Sequence, residues 1–70
     1  MKNQIITVGI NDLQVGDVLI DRNNWIVMSL PIRLKINRKK YVRLSLDYGD
    51  GVRAANWLDG QSFRIKRVIL

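Results

Sequence analysis

Apolar and polar residues alternate with a period of two along most of this chain, which is the spacing of a half-buried strand rather than of a helix. Ile6, Val8 and Ile10 alternate with Thr7 and Gly9, which predicts a first strand with one face inward. Asn11 to Asp17 reads as a turn or a single helical turn, opened by Asn11-Asp12 and closed by Gly16-Asp17. The apolar run Val18-Leu19-Ile20 enters Asp21-Arg22-Asn23-Asn24 and re-emerges as Trp25 to Leu30, a hairpin with an Asx-rich loop. Pro31 cannot donate to a ladder and marks a strand end, an edge or a bend.

The cleanest alternation follows. It predicts Ile32, Leu34 and Ile36 inward with Arg33 and Lys35 on the other face, then a loop at Asn37-Arg38-Lys39-Lys40. Val42, Leu44 and Leu46 then face inward, with Tyr41, Arg43 and Ser45 outward. Asp47-Tyr48-Gly49-Asp50-Gly51 is the strongest turn signal, because its glycines permit positive φ and its aspartates bond their own backbone. Val52 to Trp57 is a short strand or a turn of helix; Leu58 to Gln61 turns again; Ser62 to Leu70 closes the chain, with Phe63 and Ile65 alternating against Arg64 and Lys66.

Nine Ile and seven Val among 70 residues lower helical odds throughout and favour strands. The expected fold is all-β: one domain over residues 1–70, a small antiparallel barrel of five to six strands. Closure matters because a chain this short buries only about 60% of its extended surface and has no second layer to cover an open sheet.

Leu13-Gln14-Val15-Gly16-Asp17-Val18-Leu19, followed by Trp25-Ile26-Val27, resembles the first hairpin of SH3-like small barrels of the KOW and Tudor types, over residues 13–30. The resemblance implies a barrel architecture and leaves function to be argued from sites. It assigns no aromatic cage, since Trp25, Tyr41, Tyr48, Trp57 and Phe63 are scattered along the chain.

Several chemistries are excluded by residues the chain lacks. Without His or Cys there is no Ser-His or Cys-His nucleophile pair and no zinc site of the usual N/S type. There is no Glu, and the six Asp mostly adjoin Gly or Asn, where they close turns. No catalytic residue, cofactor or metal is expected. Asp47 and Asp50 lack the spacing and number of a calcium loop. Residues 1–10 hold too short an apolar stretch for a signal peptide or membrane span, so the expected location is cytoplasmic, away from membranes.

Charge narrows the candidates for function. The formal net charge is +6, and residues 32–46 carry six Lys and Arg with no Asp, while residues 64–70 add three more. Alternation is expected to gather Arg33, Lys35, Tyr41 and Arg43 on the outer face of one hairpin, with Arg38, Lys39 and Lys40 at its tip. Arg64 and Lys66 extend this patch if the last strand lies beside it. Such a surface suits nucleic acid, RNA or single-stranded DNA: the cations neutralise phosphates and the tyrosine stacks on an unpaired base. The competing reading is a solvated sheet face whose charges guard against edge-to-edge aggregation.

A second class of function is a protein-interaction module, a small accessory or inhibitor such as those of mobile elements, docking its basic hairpin on an acidic partner surface. Tyr48 and Trp57 are its candidate interface anchors, each with the alternative of packing over the core. A third reading is homo-oligomerisation through edge strands, with Val68-Ile69-Leu70 added to a neighbour.

Overall fold

A computed structural model describes residues 2–69. All of its regular structure is antiparallel sheet apart from one 3-10 turn at Ile10–Asp12: β1 (Lys2–Gly9), β2 (Val18–Leu19), β3 (Trp25–Val27), β4 (Ile32–Ile36), β5 (Lys39–Asp47), β6 (Val52–Leu58) and β7 (Ser62–Ile69). The expected all-β antiparallel fold holds, with seven strands where five or six were expected. No helix among the described residues is long and apolar enough to cross a membrane.

The ladder runs β1-β7-β2-β3-β5-β4, and β6 lies on the other edge of β5. Among the described residues no ladder joins β1 to β4 or β6, so hydrogen bonding leaves the sheet open there. β5 is the hub: β6 covers Tyr41 to Asp47 on one edge, while β4 covers Lys39 to Arg43 and β3 covers Leu46 and Asp47 on the other. The segment left undecided between strand and helix is strand throughout β6, because pairing with β5 outweighs the helical preference of Ala54 and Ala55.

The core is small and drawn from nearly every element. Ile10, Leu13, Leu19, Val27, Val42, Leu44, Leu46, Phe63 and Ile65 are buried, with Ile6, Val8, Trp25, Tyr48 and Trp57 packed around them. Val42, Leu44 and Leu46 point inward as their alternation predicts. The turns obey local chemistry. Gly16 adopts φ 97° in the turn closed by the Asp17 N–H on the Gln14 carbonyl, a conformation that favours glycine. Asp47 accepts the Gly49 N–H at 2.8 Å, the Asx turn expected of Asp47-Tyr48-Gly49.

One contact ties two distant parts of the chain together. Asp17 is buried and receives three hydrogen bonds: from Gln14 N–H (2.8 Å), Arg67 Nε (2.9 Å) and Arg67 Nη2 (2.7 Å). The fork of Arg67 thereby pins the Leu13 to Asp17 turn onto β7, and its Nη2 also reaches the Asp12 carbonyl at 3.1 Å. Arg67 is held above its ordinary value by the hydrogen bonds to Asp17. It is a structural cation, removed from the pool available for ligands.

The hairpin of β4 and β5 departs from expectation. Ile32 and Ile36 are 55% and 43% exposed and Leu34 is half-buried, so the predicted inward face of β4 does not enter the core. The reason is register. The connection is a two-residue turn at Asn37-Arg38, not a four-residue loop, and Lys39 and Lys40 belong to β5. Ile36 pairs with Lys39, so every even position of β4 faces an odd position of β5. Since opposed residues share a face, Ile32, Leu34 and Ile36 must lie with Arg43, Tyr41 and Lys39, opposite to Val42, Leu44 and Leu46.

The protein consequently exposes 5016 Å², against about 4,500 Å² for a typical folded chain of its mass. Its extents of 42 × 25 × 19 Å describe an elongated body.

Candidate nucleic-acid interface

Two faces of one hairpin carry the cations that alternation was expected to place together. Arg33 shares the face of Val42, and Lys35 lies directly opposite Lys40 on that side. Tyr41, Arg43 and Lys39 lie on the other, beside Leu34, Ile32 and Ile36. The expected grouping of Arg33, Lys35, Tyr41 and Arg43 on one outer face is therefore corrected to a split across the sheet, a consequence of the same odd-to-even register.

The first face carries three of these cations, Arg33, Lys35 and Lys40, beside one carboxylate, Asp59. Opposed like charges repel, and Lys35 and Lys40 are opposed directly. Arg33 donates from Nε to Asn11 Oδ1 at 3.2 Å, and Asn11 Nδ2 donates to Asp59 Oδ1 at 2.8 Å. Asp59 also accepts the Gly60 N–H at 2.8 Å. The Asn11 and Gly60 hydrogen bonds, aided by the charges of Arg33 and Lys40, hold the Asp59 carboxyl below its ordinary value. Arg33, Leu34, Lys35, Lys40, Tyr41 and Asp59 line a shallow depression of about 290 Å³.

Arg38 occupies the tip at φ 66°, next to Asn37 at φ 49°. Two consecutive positive φ values define the primed turns that match strand twist, where Asn followed by Gly is the favoured pair. Arg at the second position is conformationally costly, on the order of 1 kcal/mol, and puts a guanidinium at the hairpin's end.

Arg64 and Lys66 do not extend this patch. They lie outward on β7 opposite Thr7 and Ile5 of β1, and β7 is bonded to β1 and β2 rather than to the hairpin. They form a separate cationic spot. The aromatics sort differently again. Trp57 is half-buried against the core, its ring edge-on to Phe63 at 5.6 Å and covered by the Arg22 guanidinium at 5.4 Å, while its Nε1 is buried without a partner among the described residues.

Tyr48, also half-buried, packs edge-on against Trp25 with ring centroids 4.4 Å apart, and Arg53 stacks on it at 4.6 Å. These three residues, with Ala54 and Ala55, line a second groove of about 400 Å³. The sequence pattern could not reveal this pair, because 23 positions separate residues that meet only through the β3–β5 ladder. The apolar ending is already used in part: Val68 and Ile69 pair with Asn3 and Lys2 of β1, while Leu70 lies outside the described residues. No group of three or more potential metal ligands occurs among the described residues.

Comparisons with protein-family models, with curated proteins and with solved structures return no match.

Proposed function

We propose that this protein is a non-enzymatic β module that binds nucleic acid, RNA or single-stranded DNA, through the β4–β5 hairpin. The reading is carried by one observation: Lys35 and Lys40 oppose each other directly, between Arg33 on one side and the Arg38 tip on the other. The three cations of this face and Arg38 at the tip outnumber the one carboxylate beside them, Asp59, and a phosphate backbone laid across them relieves the remaining repulsion while releasing its own counterions. Arg43 and Lys39 reach the same polymer only where it wraps over the tip. Tyr41, half-buried beside Leu34, offers a small platform to an unpaired base.

Four phosphate contacts imply a log-log salt slope of about −2.8 for a single strand, hence roughly fiftyfold weaker binding at 200 mM than at 50 mM salt. Fluorescence anisotropy with labelled single-stranded RNA, single-stranded DNA and duplex DNA reads this directly. The triple variant Arg38→Glu, Lys39→Glu, Lys40→Glu should abolish binding. Wild-type affinity in that variant, or binding indifferent to salt, refutes the proposal.

The exposed aliphatic residues favour a second reading. Ile32, Ile36 and Leu58, with the half-buried Leu34 among them, border Lys39 and Arg43 on the opposite face, a mixture that suits an acidic protein better than a phosphate chain.

A further inference from the structure

Among the described residues β4 is the last strand on its side of the sheet, paired with β5 alone. Which of its backbone groups stay unpaired follows from the turn. In a two-residue hairpin the carbonyl of the residue before the turn accepts from the residue after it, so Ile36 and Lys39 form a hydrogen-bonded pair. Such pairs alternate along an antiparallel ladder, which makes Leu34–Tyr41 and Ile32–Arg43 bonded pairs as well. The N–H and C=O groups of Arg33 and Lys35 therefore point away from β5, along an edge that ends in exposed chain.

This edge has a chemical polarity across its two faces. One side carries Ile32, Leu34 and Ile36; the other carries Arg33 and Lys35. A strand added beside β4 places the residues opposite Ile32, Leu34 and Ile36 on the apolar side and those opposite Arg33 and Lys35 on the cationic side. The complementary occupant is an extended segment of alternating apolar and acidic residues. A second copy of this chain is a poor occupant: antiparallel pairing of two β4 edges centred on Leu34 sets Arg33 against Lys35 twice, cation on cation.

The geometry points to the β4 edge as a docking site for an extended acidic protein segment, recognised by backbone pairing to Arg33 and Lys35, carboxylates on their side chains and aliphatic residues over Ile32, Leu34 and Ile36. This goes beyond nucleic-acid binding, because it uses backbone groups that phosphates do not need. It also makes the two ligands competitors for Arg33 and Lys35, so an acidic strand in place excludes nucleic acid from that face.

The test uses the pentapeptide Val-Asp-Val-Asp-Val, capped at both ends, and the block peptide Val-Val-Val-Asp-Asp of identical composition as the control. Amide hydrogen exchange in the full chain, read by NMR, should slow at least tenfold at Arg33 and Lys35 on adding the alternating peptide. Exchange at Ile32, Leu34 and Ile36, already bonded to β5, should stay unchanged. The block peptide should bind at least tenfold more weakly.

Lys35→Gln removes a charge, whereas Lys35→Pro also removes the outward N–H without touching the ladder to β5; the proline variant should lose at least fivefold more affinity than the glutamine one. Unchanged exchange at Arg33 and Lys35, or equal binding of the two peptides, overturns the proposal whatever the variants do. Oligonucleotide binding with no peptide binding overturns this inference and leaves the proposed function standing; the reverse result keeps the inference and removes that function.

Discussion

Replacing Arg67 by Met should cost this protein a large share of its stability, although Arg67 is one of twelve cations and lies near the end of the chain. The Asp17 side chain is 2% exposed and takes two of its three hydrogen bonds from that guanidinium, at 2.9 and 2.7 Å. The variant leaves a buried carboxylate with only the Gln14 N–H as donor. Breaking one side of such a pair costs about 3–5 kcal/mol. Because the Arg67 side chain is 20% exposed and water can reach part of the vacated space, the lower end applies, about 3 kcal/mol.

A 70-residue domain has about 4–10 kcal/mol in total, so the midpoint of thermal unfolding should fall by about 12–24 °C. Urea unfolding followed by tryptophan fluorescence measures the loss at constant temperature. Arg67→Lys should fall between the two, since an ammonium cannot make both bonds of the fork. Adding Asp17→Asn to Arg67→Met should recover more than 1 kcal/mol by removing the stranded charge. An Arg67→Met protein within 0.5 kcal/mol of wild type would show that the pair is incidental and that the turn at Leu13 to Asp17 is held by packing alone.

Two further outcomes follow from the hairpin and the turn beside it. Lys35→Glu should raise stability by a few tenths to about 1 kcal/mol, because a repulsive cross-strand pair with Lys40 becomes an attractive one; the same change should weaken oligonucleotide binding, and a loss of both together would contradict the assigned register. Asp59→Asn should flatten the acid side of the stability profile. The Asp59 carboxyl is lowered in the folded state, so its contribution is present above its unfolded value and fades as pH falls through its folded one. Urea midpoints compared at pH 6 and pH 3 should drop less in the variant, and equal drops would dismiss the contribution of Asn11 and Gly60.

The parts of the fold that could be read from the sequence are those where local pattern and tertiary burial agree. Val42, Leu44 and Leu46 alternate on a strand flanked on both edges, so one face had to be core. The Asp47 to Gly51 turn follows from side-chain hydrogen bonding within a few residues. Alternation on β4 was equally clear, yet it separates two faces without saying which is inward. Parity settles the matter: an even number of connecting residues joins even positions to odd ones, so Ile36 and Val42 cannot share a face without a bulge. The Asp17–Arg67 pair was invisible for another reason. Fifty positions separate the two residues, and Asp17 beside Gly16 looks like any turn aspartate until β7 is laid over it.

Several departures from local rules fall on the β4–β5 hairpin. Lys35 opposes Lys40, Arg38 takes a φ suited to glycine, and Ile32 and Ile36 lie in water. Across β5, Val42 is flanked by Arg33 on β4 and by Trp57 on β6, whose Nε1 is buried without a partner among the described residues. Each feature costs from a few tenths to about 2 kcal/mol in the isolated molecule. The half of the sheet built on β1, β7 and β2 pairs Ile6 with Ile65 inward and satisfies Arg67 with Asp17, while its exposed aliphatics, Ile5 and Val68, each face a polar partner, Lys66 and Asn3. The proposed ligands would relieve the departures that fall on this hairpin: phosphates across Lys35 and Lys40, or a strand along Arg33 and Lys35.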